Sequence, residues 1–267
     1  MLYQDWIPKI LSVALEAAEA IIDIYDRNAY QVKKKLDTSP VTEADLCAHQ
    51  IIQKGLFSID PTIPFLSEEG DTTPYEIRSH WSRYWLVDPL DGTLEFIKGS
   101  GEFTVNIALI ENHSSVLGVV VVPVHRHTYW AIQGEGAYAK LASADPVRIH
   151  TNHFPKSSLK VAASRRLNQN TKPGWLALMN RLNQPELLYC GSAWKICLVA
   201  SGEVDLYPQF GTTSEWDTAA GQCILEAAGG QLVDFVGRPL QYNAKPSLKN
   251  SAFCAISDSG LIPICCG

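Results

Sequence analysis

The sequence predicts an α/β protein. The second half of the chain alternates short apolar strands with helices: Val161–Ala163, then Pro173–Leu182, then Glu186–Tyr189, then Ala193–Ala200, then Val204–Tyr207. The first half opens on a long helical apolar period and carries β-rich runs further on, with a hairpin signal between Ser115 and Ile132. At 267 residues the chain is near the length at which one core divides in two, and the polar stretch Ala142–Asp145 marks the division into residues 1–142 and 143–267.

Residues Leu2–Asn28 place Ile7, Ile10, Leu11, Ala14, Ala18, Ile21, Ile22 and Tyr25 on one face, the mark of a packing helix. Val32–Asp45 reads as a short strand and a loop. Thr42 then caps a helix through Phe57, with Asp45 at the capping-box position. Asp45 is therefore first a helix cap that satisfies orphan amides, and second a candidate catalytic carboxylate. Ile63–Leu66 is a short strand ending in Ser67-Glu68-Glu69-Gly70, and Asp71–Arg83 reads as an irregular, mobile surface segment.

The apolar run Tyr84–Val87 ends in Asp88-Pro89-Leu90-Asp91-Gly92-Thr93. Pro89 has a fixed φ and no amide hydrogen, so the strand is expected to end there. Gly92 permits a turn or a close backbone approach. The expectation is a buried strand feeding a tight loop that aims Asp88 and Asp91 at one point, with the Thr93 hydroxyl beside them. Converging carboxylates repel unless a cation lies between them, and aspartates with a loop carbonyl are the hard donors magnesium prefers. The alternative is an ordinary Asp-Pro and Asp-Gly surface turn.

Beyond this stretch, Ser115–Val124 and His127–Ile132 form the hairpin, and Gly134-Glu135-Gly136 turns into Ala137–Lys140. Glu215–Ala228 reads as one helix closed by Gly229-Gly230, and Gln231–Asp234 and Phe253–Ile256 as final strands. Asp217 opens that helix ahead of small residues that let its start press on other backbone. Alone it is a cap. With Glu68, Asp88 and Asp91, each at an element end, it completes an acid set suited to a metal-assisted phosphoryl displacement.

Composition narrows the partners. A net charge of −6 argues against wrapping a nucleic-acid polymer. No apolar run is long enough to span a membrane, and Met1–Asp5 has no basic start to a signal peptide. A cytoplasmic protein is expected, with any membrane contact peripheral, at the inner face. The seven cysteines include no Cys-x-x-Cys pair; Cys47, Cys190, Cys197 and Cys223 read as buried hydrophobes, and Cys265 and Cys266 as the exposed thiols.

The segments Ser39–Asp45, Leu66–Glu69, Tyr84–Thr93, Glu102–Ile110, Gly191–Pro208 and Glu215–Gly221 together resemble the lithium-sensitive, magnesium-dependent inositol monophosphatase superfamily, and within it the bacterial 3′(2′),5′-bisphosphate nucleotidases. The resemblance covers nearly the whole chain. It implies a layered α/β/α/β/α sandwich, an α+β part followed by an α/β part. It implies two or three magnesium ions held by Glu68, Asp88, Asp91, Asp217 and the Leu90 carbonyl, with Asp45 and Thr93 activating water. It places Gly92, Thr93, Ser192, Lys195 and Gln209 around a phosphorylated small-molecule substrate. The activity implied is removal of the 3′-phosphate of adenosine 3′,5′-bisphosphate, the by-product of sulfate assimilation. Gln209 departs from the Arg usual in these nucleotidases and from the Glu of inositol monophosphatases. Leu167 stands where a His is typical, with Arg165 or Arg166 as compensation, and Leu94 where a Lys follows. Trp194 reads as core filling ahead of base stacking, and Lys195 by its local pattern as a solvated helix residue. The other readings are an inositol- or sugar-phosphate phosphatase and a non-catalytic metal- and nucleotide-sensing protein.

Overall fold

The opening apolar stripe folds as helix α1 (Leu2–Arg27) and buries Trp6, Ile10, Ala14, Ala17, Ile21 and Ile24. The structure, a computed structural model, describes residues 2–27, 32–34, 40–71, 73–154, 158–165 and 172–266. Strands β1 (Val32–Lys34) and β2 (Pro40–Thr42) pair as a ribbon. Helix α2 (Glu43–Ile59) starts at the Thr42 capping box and packs beside α1.

Both helices cover one face of a seven-stranded sheet. Its strands are β3 (Phe65–Ser67), β4 (Arg83–Asp91), β5 (Thr104–Glu111), β6 (Ser114–Val122), β7 (His127–Ile132), β8 (Gly136–Leu141) and β9 (Val147–Ile149), in that spatial order. The β3–β4 pair is parallel and the others antiparallel. Trp85, Val87, Ile107, Leu109, Val119 and Val121 pack toward α1 and α2, while Tyr84, Leu86, Ala108, Ile110, Val120 and Val122 belong to the core on the other face. Burial on both faces is why these strands read as unbroken apolar runs. The sheet takes in β9, beyond residue 142.

A middle helical layer, α6 (Trp194–Ala200) and α7 (Ala219–Ala227), separates this sheet from a second one of five strands. These are β10 (Lys160–Ser164), β11 (Glu186–Cys190), β12 (Leu206–Gln209), β13 (Gln231–Asp234) and β14 (Phe253–Ile256), ordered β11-β10-β12-β14-β13. Helices α5 (Pro173–Arg181) and α8 (Ile262–Cys265) close the far face over Val161, Ala163, Leu206, Cys254 and Ile256. The result is the layered α/β/α/β/α arrangement expected. No helix among the described residues is long and apolar enough to cross a membrane.

Four local expectations are corrected. Asp71–Arg83 is not simply irregular. It contains helix α3 (Tyr75–Arg78), and Arg78 is buried, donating to Asn243 Oδ1 and to the Pro246 carbonyl. The expected helix Glu215–Ala228 is a 3-10 turn, Glu215–Asp217, followed by α7 after a break at Thr218. Cys265 is buried rather than exposed, with its Sγ 3.8 Å from that of Cys254, and Cys266 is half-buried. Cys47, expected inside, is also half-buried.

Candidate active site

Strand β4 does not stop at Val87. Asp88 pairs with Asn106 and Asp91 with Thr104, and the register slips between them. Pro89 lies in the slip, where no ladder hydrogen bond is asked of it, so the strand survives its proline as a bulge. The bulge turns on itself, with the Leu90 amide donating to Asp88 Oδ1 at 3.0 Å. Gly92 follows at φ +95°, a left-handed conformation that only glycine adopts at little cost, and α4 (Thr93–Ile97) begins.

Parallel pairing of β3 with β4 sets Glu68, one residue past the end of β3, beside Asp88; its amide donates to the Val87 carbonyl at 3.1 Å. Asp217 arrives from the far half of the chain. Ser214 caps its turn, with the Ser214 amide donating to Asp217 Oδ2 at 2.8 Å. The small residues that follow have the expected purpose. A Cβ on Gly118 of β6 would lie 2.3 Å from the Ala220 carbonyl, so the start of α7 touches sheet backbone directly.

Glu68, Asp88 and Asp217 thereby each offer a carboxylate oxygen within 4.8 Å of the others. Asp88 is 1% exposed and its Oδ2 has no hydrogen-bond partner among the described residues. Burial first, and then the charges of Glu68, Asp91, Asp217 and Asp45, push the Asp88 carboxyl well above the usual carboxylate range. Burial, with Asp91 and Glu68, does the same to Asp217. An orphaned buried oxygen among hard, mutually repelling donors fits a hard divalent cation. Asp91 adds its charge to both neighbours while its Oδ2 accepts from the Ala193 amide at 2.5 Å. The Leu90 carbonyl accepts from the Thr93 hydroxyl at 3.5 Å.

Asp45 is the helix cap expected, and its second oxygen faces Thr93. Its Oδ2 accepts from the Thr42 amide at 2.8 Å and hydroxyl at 2.6 Å, and its Oδ1 accepts from the Thr93 hydroxyl at 3.2 Å. The cap fixes the carboxylate that meets Thr93. Burial raises its pKa above the ordinary value, opposed by these hydrogen bonds.

Glu68, Leu90, Asp91, Thr93 and Asp217 border a cavity of about 510 Å³ that Gly92, Ser192, Lys195 and Gln209 also line. Lys195 is not a solvated helix residue. It is 4% exposed, with Nζ donating to the Ser192 carbonyl at 2.6 Å and lying 5.0 Å from the centre of the Tyr207 ring. Gln209 is 8% exposed at the end of β12. Arg165 is bound by Glu102 through two bonds of 2.5 and 2.6 Å, while Arg166 and Leu167 lie outside the described residues. Trp194 packs against the core, and its ring lies 4.5 Å from that of His125, tilted by 45°.

The chain matches the inositol monophosphatase family over residues 4–257. It belongs to the inositol monophosphatase family. The 3′(2′),5′-bisphosphate nucleotidase CysQ of Salmonella typhimurium is 43% identical over 246 residues, 92% of this chain and 97% of the relative. CysQ of Haemophilus influenzae is 33% identical over 94% and 92%. The solved structure of CysQ from Bacteroides thetaiotaomicron, 38% identical, superposes with a TM-score of 0.80 over 96% of this chain and 98% of that one. Members of the family are metal-dependent, and the acid cluster is the matching feature here.

Sequence reasoning missed several residues in or beside the candidate site. Thr104 and Asn106, register partners of Asp91 and Asp88, are buried with side-chain polar atoms that have no partner among the described residues. Their signal was present: two polar residues, two apart, inside an otherwise apolar strand. Ser214 and Lys249 also line the cavity; Ser214 stands three residues before Asp217 in a Ser-x-x-Asp cap pattern, and no local pattern marked Lys249.

Proposed function

We propose that the chain is a magnesium-dependent phosphatase that removes the 3′-phosphate of adenosine 3′,5′-bisphosphate, yielding AMP and phosphate. The observation that carries the reading is the convergence of Glu68, Asp88 and Asp217 beside a substrate-sized cavity, in a chain 43% identical to a bisphosphate nucleotidase over nearly its full length. Two or three ions would be held by Glu68, Asp88, Asp91, Asp217 and the Leu90 carbonyl. When bound, magnesium lowers the pKa of water and neutralises charge on the phosphoryl and leaving oxygens.

The chain's own residues supply position and proton transfer. Thr93 orients the attacking water with its hydroxyl oxygen and passes its hydrogen toward Asp45, whose Oδ1 already accepts it. The water oxygen bonds to phosphorus as the bond to the ribose 3′-oxygen breaks. The attacking water gives up a proton to the Thr93–Asp45 pair, and the ribose oxygen takes one from solvent water and leaves as the nucleoside hydroxyl. Gly92 and Thr93 backbone would hold phosphate oxygens, and Ser192, Lys195 and Gln209 the rest of the nucleotide.

Gln209 favours one second reading, a phosphatase of inositol 1-phosphate or another sugar phosphate. It lacks the charge and fork by which Arg grips phosphate. Phosphate release from both substrates, side by side, with magnesium and with chelator, separates the two. The nucleotide is expected to be preferred and chelator to abolish turnover; preference for the polyol phosphate overturns the first reading. Asp45→Asn and Thr93→Ala are each expected to lower kcat by roughly 10²–10⁴-fold.

A further inference from the structure

Among the described residues the cavity wall carries three cations, Arg165, Lys195 and Lys249, and they differ in what already holds them. Arg165 is taken by the Glu102 carboxylate in a two-pronged pair. Lys195 is buried, donates to a backbone carbonyl and lies by the Tyr207 ring. Lys249 is exposed; its Nζ donates to the Ser214 hydroxyl at 3.0 Å, and its charge draws the Asp217 carboxyl down against burial without a direct bond to it. An ammonium has three donors, so this bond leaves capacity for an anion in the cavity.

The position of Lys249 is built. The Glu215 amide donates to the Leu248 carbonyl at 2.8 Å, and the Asn250 amide to the Thr213 carbonyl at 2.9 Å. The Asn250 carboxamide donates to the Ser214 carbonyl at 2.7 Å and to the Thr213 and Thr218 hydroxyls at 3.1 Å each. Residues 248–250 are thus stitched antiparallel to the loop that presents Asp217, with Ser214 and Lys249 as bridge partners. Thr212, Thr213 and Ser214, in the same loop, also line the cavity. This loop begins three residues beyond Gln209, the position whose neutral side chain lacks a phosphate-gripping charge.

We propose that Lys249 is a specificity-determining residue that contacts the second, non-reacting phosphate of a bisphosphorylated substrate and so offsets the neutral Gln209. The proposal rests on the bisphosphate-nucleotidase reading. It requires the Lys249 charge to favour substrates carrying a second phosphate over those that carry only the one to be cleaved.

The test compares kcat/KM for adenosine 3′,5′-bisphosphate with kcat/KM for adenosine 3′-monophosphate, in magnesium, for wild type, Lys249→Met and Lys249→Arg. Lys249→Met is expected to lower the bisphosphate-to-monophosphate ratio roughly tenfold, chiefly through KM, and Lys249→Arg to restore most of it. Equal losses on both substrates mean that Lys249 merely braces Ser214 and Asp217, which overturns the proposal. An unchanged ratio overturns it too. A wild type that prefers inositol 1-phosphate and gains nothing from a second phosphate overturns the nucleotidase reading and this inference together. A wild type that prefers the bisphosphate while Lys249→Met keeps the ratio overturns this inference alone.

Discussion

Glu215 lies two residues before Asp217 and is fully buried. The Asn243 amide donates to its Oε2 at 2.7 Å, and its Oε1 has no partner among the described residues. Burial pushes its carboxyl from the ordinary 4.5 up to about 7, against the smaller pull of the Asn243 bond, Arg78 and Lys245. The sign follows from proton binding. The folded pKa is above the unfolded one, so between these two values the native state keeps a proton that the unfolded chain has lost. Stability is therefore greatest below the unfolded pKa and falls as pH rises to about 7, by at most about 3 kcal/mol. Urea midpoints at pH 5 and pH 8, in chelator, should lie further apart for wild type than for Glu215→Gln. A variant with the wild-type slope would show that the pH dependence comes from elsewhere. Asp88 and Asp217 titrate in the same direction, so the difference between wild type and variant, not the wild-type slope, isolates Glu215.

At the scale of elements, the start of α7 and the whole of α3 hold the site together. Gly118 lets α7 meet β6 backbone to backbone, and an added methyl would stand 2.3 Å from the Ala220 carbonyl. No side-chain rotamer can relieve that clash, so the helix that follows Asp217 must shift. Gly118→Ala is expected to cost about 1–3 kcal/mol and to weaken the apparent magnesium affinity of turnover. A loss of stability with magnesium dependence intact would mean the shift stops short of Asp217. Helix α3 contributes Arg78, whose guanidinium reaches Asn243, Pro246 and the field of Glu215. Arg78→Met leaves Glu215 without that compensation and should cost about 3–5 kcal/mol, read from the denaturation midpoint. A loss under about 1 kcal/mol would show that the buried arginine is no bracket between these segments. These contacts explain what the sequence could and could not yield. Local cues were enough for α1, α2, the β6–β7 hairpin and the Thr42–Asp45 cap, since each is decided within a few residues. The bulge at Pro89, the break at Thr218 and the burial of Arg78 and Lys195 are decided by partners far along the chain. The acids were legible because each sits at an element end. Lys249 was not, because its place depends on bridging to Ser214.

At the scale of the molecule, the acid cluster sets activity against stability. Glu68, Asp88, Asp91, Asp217 and Asp45 come from β3, β4, the turn before α7 and α2, and folding forces their like charges together. The five-layer stack supplies the burial that makes this possible, and burial is also what makes it costly. A cation that binds only the folded arrangement stabilises it by mass action, by about 2.7 kcal/mol at a concentration 100 times its Kd. Thermal midpoints should accordingly rise when magnesium replaces chelator. Asp88→Asn removes one buried charge from the cluster and one ligand from the ion. In chelator the variant is expected to melt above wild type; in magnesium its gain should largely vanish, and turnover with it. A variant that melts below wild type in chelator would instead make the Asp88 carboxylate a structural hydrogen-bonding group. Its orphaned Oδ2 argues against that, because a carboxylate kept for structure would have both oxygens engaged.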